Sequence, residues 1–338
     1  MSEAKRHFKL TLKVRYRAES KVKHTLERPG IWPFNKKKRE GTTTTLLECD
    51  DCVIRVAEAN LDEAIKMVSE DPSLKHIVGF YSEGLGDYGY FALELGEAME
   101  KIVVDGNRRK YVQLGRSLRF YGGTTSATEV GCNLRCKFCF SDKPVWKPAS
   151  TGRFYSPQEV FAGLVKNARR NRHQTISASA SEGTLGRQHL FELLDLVEES
   201  EFVYILETNG MTLGADPEFA QQLARYKNLH VRVSLKGANE EEYHTLTGAR
   251  RSSYALPFRA LKHLIEAGVS CNACVMASFS SEASLKAFEQ RLFELHPGIL
   301  KSLETEHITL FPKVRERLEK YKLKPTKTRR RSRRREAA

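Results

Sequence analysis

The chain has 338 residues, 40% of them apolar, and a formal net charge of +14. No apolar run approaches the ~18 residues of a membrane span and no leader pattern opens the chain, so the composition predicts a soluble, cytoplasmic protein with no membrane partner. Seven cysteines, an odd number, argue against a secreted disulfide framework.

Near the N-terminus, Phe8, Leu10, Leu12, Val14 and Tyr16 alternate with polar residues, which predicts a strand. Residues 21–44 read as a loop with a Pro29-Gly30 turn, a Trp32/Phe34 pair and the basic run Lys36–Arg39. An apolar stretch at 53–57 leads to a short helix near 61–69, capped by Asn60, and to a strand at 76–81. Asp105-Gly106 marks a hairpin tip. Mixed strands and helices predict a small α+β domain over residues 1–115.

The pattern then becomes regular. Apolar strand-like runs recur near 126–130, 174–179, 203–207, 230–235, 269–277 and 306–311, with helical runs between them. Ser156-Pro157 with Glu159 forms a capping box, Asp216-Pro217 and Asn239 with Glu242 start further helices, and Gly268 ends another. The last helical run carries Leu285, Phe288 and Leu292 on one face. Alternating β and α at roughly thirty-residue steps means parallel strands with right-handed crossovers. Six units fall short of the eight of a closed barrel, so the chain reads as a partial (β/α)6 barrel.

The most informative stretch is Cys132-Asn-Leu-Arg-Cys136-Lys-Phe138-Cys139. Three thiolates at spacing x3 and x2, with no fourth cysteine nearby, suit neither a closed zinc site nor an ordinary four-cysteine cluster. A partial zinc knuckle is the structural alternative. The trio, with an aromatic before its last cysteine, resembles the signature of the radical S-adenosylmethionine (radical SAM) superfamily, closest in look to glycyl-radical activating enzymes and molybdenum-cofactor-type proteins. The resemblance covers residues 120–280. It implies a barrel of radical SAM type and a [4Fe–4S] cluster held by Cys132, Cys136 and Cys139. It also implies S-adenosylmethionine (SAM) on the open iron, reductive cleavage to a 5′-deoxyadenosyl radical, and an electron donor such as ferredoxin or flavodoxin.

The same resemblance assigns residues at strand ends, where sites of parallel barrels gather. Ser181-Glu182-Gly183 stands where the family carries Gly-Glu-Pro, and Glu182 is expected to hold the SAM amino group. Glu207-Thr208-Asn209 is similar to a ribose-binding element, and Phe138 is expected against the adenine. Lys236 is expected on the SAM carboxylate, with Ser234 replacing a usual aspartate. The bland readings are a carboxylate at a helix start for Glu182, a polar turn for Thr208-Asn209, a solvated lysine for Lys236 and core packing for Phe138.

Other features carry less. Gly84-Leu-Gly86-Asp-Tyr-Gly89 has dinucleotide-fingerprint spacing without the following helix and acid. Cys49/Cys52 and Cys271/Cys274 suggest an auxiliary metal site, but positions 271 and 274 face opposite sides of a strand. Residues 324–338 hold six Arg, two Lys and one Glu, a net of +7, and read as a disordered basic tail able to bind RNA. The expected units are 1–115, the barrel 116–312, a C-terminal helix 313–323 and the tail 324–338. Three functions fit: radical modification of a nucleic acid, hydrogen abstraction from a protein partner, or a non-enzymatic RNA-binding protein with a structural metal.

Overall fold

The computed structural model describes the strands over residues 9–16, 21–27, 42–49 and 52–56, and residues 89–329 throughout. Four strands, β1 (Lys9–Tyr16), β2 (Lys21–Glu27), β3 (Thr42–Cys49) and β4 (Cys52–Val56), form an antiparallel sheet in the order β2-β1-β3-β4. β2 and the start of β3 lie where the sequence predicts a loop over 21–44. The reason is pairing: β2 runs against β1 with Val22 opposite Val14, and β3 takes the other edge of β1. Cys49 and Cys52 face each other across the β3–β4 hairpin. The expected helix at 61–69, the strand at 76–81 and the Trp32–Arg39 run lie outside the described residues.

Helix α1 (Ala92–Val103) follows, then a hairpin of β5 (Val104–Asp105) and β6 (Arg108–Leu118). No helix is expected from sequence at α1, although Leu95, Met99 and Val103 recur at i, i+4 and i+8 and are buried. Gly106 sits at the hairpin tip with φ +58°, a conformation that glycine adopts without strain. β6 pairs antiparallel with β7 (Thr124–Glu129), the first barrel strand. The boundary expected at residue 115 therefore falls inside β6, and the hairpin extends the barrel sheet.

Beyond β7 come α2 (Lys143–Trp146), β8 (Arg153–Tyr155), α3 (Pro157–Asn171), β9 (Thr175–Ser179) and α4 (Arg187–Glu198). They are followed by β10 (Val203–Thr208), α5 (Met211–Ala215), α6 (Pro217–Leu223), β11 (Leu229–Leu235) and α7 (Glu240–Thr247). The last elements are α8 (Ala255–Glu266), β12 (Cys271–Met276), α9 (Glu282–Leu295), β13 (Glu304–Glu306) and α10 (Pro312–Lys320). The expected caps are present: Ser156 and Glu159 close a capping box, and Asp216 and Asn239 accept from the first-turn amides. The sheet order β13-β12-β11-β10-β9-β7-β6-β5 has parallel strands from β7 to β13 and does not close on itself. This is a partial (β/α)6 barrel.

The strands alternate cleanly between two faces. Ile176, Ala178, Tyr204, Leu206, Val231, Val233, Leu235, Ala273 and Val275 are at most 2% exposed and share one core with the helix residues Leu193, Leu213, Leu261 and Leu264. The other face is polar, carrying Ser179, Glu207, Arg232, Ser234 and Cys274. The sixth strand is shorter and earlier than the apolar run 306–311 suggests. Glu304 and Glu306 are fixed in β13 by Arg232, whereas Ile308 lies past it and bridges Thr328. The segment expected to begin a free tail is docked as far as Arg329: Thr326 and Arg329 donate their amides to the carbonyls of Ser278 and Ile308. Among the described residues no helix is long and apolar enough to cross a membrane.

Candidate active site

The cysteine loop leaves the C-terminal end of β7. Gly131 opens it with φ +93°, and a Cβ there would meet the Val103 side chain at 2.9 Å, so only glycine lets the loop cross α1 this closely. Arg135, 1% exposed, organises the loop from inside. Its guanidinium donates to the carbonyls of Cys132 (2.6 Å) and Leu134, and its amide donates to the Tyr90 hydroxyl (2.7 Å). That hydroxyl in turn donates to the carbonyl of Thr247 at the end of α7.

Burial pushes the Cys132 thiol up to about 12 and raises those of Cys136 and Cys139. N–H donors are nevertheless aimed at these sulfurs. The Leu134 amide lies 3.4 Å from Cys132 Sγ, the Asn209 side-chain amide 3.9 Å from it, and the Ser141 amide donates to Cys139. Such donors stabilise thiolate ligands of a cluster. No three His, Cys, Asp or Glu side chains among the described residues converge on a single ion.

The next loop leaves β9. Ala180 adopts φ +78°, a left-handed conformation where the resembled family carries glycine. Its carbonyl accepts from Ser141 Oγ at 2.6 Å, and Ser181 Oγ donates to the Glu129 carbonyl at 2.8 Å, so this loop is stitched to both ends of the cysteine loop. Gly183 lies against β10: an added Cβ would meet Leu206 Cδ1 at 2.7 Å and the Glu207 carbonyl at 3.1 Å.

Glu182 is 1% exposed and holds the strand ends together. Its Oε1 accepts from Thr184 N (3.1 Å), Thr184 Oγ1 (2.6 Å) and Thr208 Oγ1 (2.6 Å), and its Oε2 accepts from Asn209 N (2.8 Å). Asn209 Nδ2 then donates to Asn133 Oδ1 at 2.5 Å. The structure thus brings together Glu182, Thr208 and Asn209 with Asn133, which the sequence analysis does not select. Among the described residues, Asn133 Nδ2 is left buried with no partner.

A second residue missed from sequence is Arg109 of β6, 1% exposed. It donates to the carbonyls of Glu182 (2.6 Å), Gly183 (3.1 Å) and Leu185, and pairs with Glu129 at 3.3 Å. Burial raises the Glu129 carboxyl, against the pull of Arg109, and among the described residues its Oε2 has no partner. Tyr111 and His189 complete this layer: the Tyr111 hydroxyl meets His189 Nε2 at 2.9 Å, and His189 Nδ1 meets the Asn107 carbonyl at 2.8 Å. No motif signals these residues, because an arginine in a hairpin strand reads as solvent-exposed.

Glu207, Ser234 and Lys236 lie on the polar inner face. Glu207 is registered beside Arg232 and accepts from the Tyr121 hydroxyl at 3.2 Å; burial raises its carboxyl, with Arg232 opposing. Arg232 donates to Ser234 Oγ (3.2 Å), Glu304 (2.9 Å), Glu306 (2.8 Å) and Cys274 Sγ (2.7 Å). Burial pushes the Glu306 carboxyl up, but Arg232 and then Lys236 outweigh it, leaving a net lowering. Lys236 makes no hydrogen bond or ion pair among the described residues, and its charge favours the thiolates of Cys136 and Cys139. Phe138 is 7% exposed and packs against Phe279, centroids 5.9 Å apart. Cys271 is partly exposed while Cys274 is buried on Arg232, so the two do not form a ligand pair.

Residues 128–288 match the family model of the Radical SAM superfamily. The matched stretch runs from the end of β7 through the first half of α9. That superfamily uses a [4Fe–4S] cluster and SAM, and the three-thiol loop, with Cys136 buried, Cys132 and Cys139 partly exposed and N–H donors on the sulfurs, fits that group. A comparison with curated protein sequences finds no match. Among solved structures, Streptococcus suis SuiB bound to S-adenosylmethionine is similar at 17% identity and TM-score 0.44, over 54% of this chain and 40% of that one. Native anSMEcpe with bound AdoMet is similar at 22% identity and TM-score 0.41, over 54% and 51%. TYW1 with a lysine-pyruvate adduct is similar at 14% identity and TM-score 0.39, over 59% and 71%. The chain thus spans about two fifths of the SuiB chain it matches.

Proposed function

We propose that this chain is a radical SAM enzyme that abstracts hydrogen from a macromolecular substrate, with Cys132, Cys136 and Cys139 as the iron ligands. The observation that carries the reading is the chain of contacts from the cysteine loop through Asn133 to Asn209 and Glu182, which sets three strand ends around one place. When bound, the cluster supplies the electron that cleaves SAM to methionine and a 5′-deoxyadenosyl radical.

The residues of this chain bind and orient. Lys236 and the Asn133 amide supply donors without partners among the described residues, the pair that a SAM carboxylate needs. Thr208 and Asn209 hold the end of β10 for the ribose, and Ser181 and Glu182 present backbone and carboxylate for the SAM amino group. Glu182 Oε2 takes a single protein donor, which leaves it acceptor capacity. Phe138 supplies an apolar wall for the adenine. Ser234 and Glu207 belong to the polar inner face with Arg232, the surface that faces a substrate.

RNA is the substrate class favoured by the net charge of +14 and the arginine-rich C-terminus; a protein partner is the second reading. Incubation of anaerobically reconstituted protein with dithionite and SAM should release 5′-deoxyadenosine. Its absence, with the cluster present and SAM bound, would overturn the enzymatic reading. RNase treatment of affinity-purified protein separates RNA from protein substrates.

A further inference from the structure

Helix α10 lies outside the residues that match the superfamily model, yet its side chains reach into the cysteine loop. Arg317 Nη2 donates to the carbonyl of Cys139 and, at 3.3 Å, to that of Ser141. Its Nη1 lies 3.7 Å from Asp142 Oδ1, and the guanidinium sits over the Trp146 ring at 5.5 Å. One side chain thus grips the exit from the third cysteine at two carbonyls, a carboxylate and an indole. Its side chain is 12% exposed although the neighbouring helix positions Arg315 and Glu316 face solvent. A second contact lies beside it, with Lys137 Nζ over the Tyr321 ring at 4.9 Å. Val314 and Leu318, buried on the same face of α10 as Arg317, anchor the helix beside the loop.

These contacts act at a particular place. The loop from Cys139 to Asp142 carries the amide of Ser141, which donates to Cys139 Sγ. The two gripped carbonyls belong to the peptide planes on either side of the one that carries this N–H, so holding both orients it, and partners beyond the ligands normally set both affinity and potential of a metal centre. The guanidinium also places a positive charge against the backbone of the third cysteine. Its planar fork serves two carbonyls at once, which a lysine does not reproduce.

We infer that Arg317 is a positioning residue for the iron–sulfur site and that α10 is a working part of that site. This rests on the cluster assignment above. The full chain and its Arg317→Met and Arg317→Lys variants are reconstituted anaerobically. Two quantities are read: the rate of iron release to a chelator and the midpoint potential of the cluster. Arg317→Met should release iron about tenfold faster, the scale of lost outer-shell contacts, and shift the potential to more negative values. Arg317→Lys, which keeps the charge and loses the fork, should release iron faster at a near-wild-type potential. Thermal unfolding of the apo proteins identifies a variant that fails to fold; Arg317→Lys then decides alone through its release rate. Wild-type release and potential in the folded variants would overturn the inference. Failure of the wild-type chain to hold a cluster would instead overturn the functional assignment.

Discussion

Asn209, at the end of β10, donates its side-chain amide to Asn133 Oδ1 in the cysteine loop at 2.5 Å. The same residue accepts from Met211 N through Oδ1 and gives its own amide to Glu182. It is the point where three strand-end loops meet.

Asn209→Ala should therefore weaken SAM binding through the cysteine loop as well as directly. The expected cost is about 1–3 kcal/mol, the scale of a buried hydrogen bond whose partner is left unsatisfied. Equilibrium dialysis with SAM on the reconstituted protein measures it. Unchanged affinity would remove Asn209 from the site.

Ala180 holds φ +78° in the loop that Glu182 anchors. A left-handed conformation costs an alanine roughly 1–2 kcal/mol, partly offset by the extra unfolded-state entropy of glycine. Ala180→Gly should stabilise the apo protein by about 1 kcal/mol in urea denaturation. A destabilised variant would mean that the Cβ makes packing contacts worth more than the strain.

Burial pushes the His189 imidazole from 6.5 down to about 4. Folded and unfolded chains both hold the ring neutral above pH 6.5. Below it the unfolded chain takes up a proton that the folded chain refuses, so stability falls as the pH drops from 6.5 toward 4, by about 3 kcal/mol at most. The facing groups are Tyr111, Arg109 and Glu192. Between about pH 7 and pH 5 the wild type should lose about 2 kcal/mol more than His189→Gln, read by urea titration; parallel pH profiles would place the ring in water.

The contacts of Thr326 and Arg329 leave the residues after 329 as the part to test for RNA binding. Truncation after Arg329 removes five arginines. It should weaken binding to single-stranded RNA and flatten the log–log salt slope, which runs near roughly −0.7 per phosphate neutralised. Iron content should stay the same. An unaltered slope would favour a protein substrate.

Much of this architecture is legible in the sequence because it is local. The β/α alternation, the caps at Ser156, Asp216 and Asn239 and the cysteine trio are short-range patterns that burial and capping impose directly. What escapes is long-range. Arg109, Asn133 and Arg317 matter through partners 74, 76 and 178 residues away, and nothing in their neighbourhoods distinguishes them from surface residues. The strand at 21–27 is hidden differently: its lysine-rich alternation reads as solvent-exposed loop until β1 is available to pair with it.

The most direct test of the account is the iron and absorbance of the anaerobically reconstituted chain. The wild type should bind about four irons and absorb near ~400 nm, as iron–sulfur clusters do. Replacement of Cys132, Cys136 and Cys139 together by alanine should abolish both signals, whereas Cys271→Ala, on a strand away from the loop, should retain them. Iron retained at wild-type level by the triple variant would contradict the assignment.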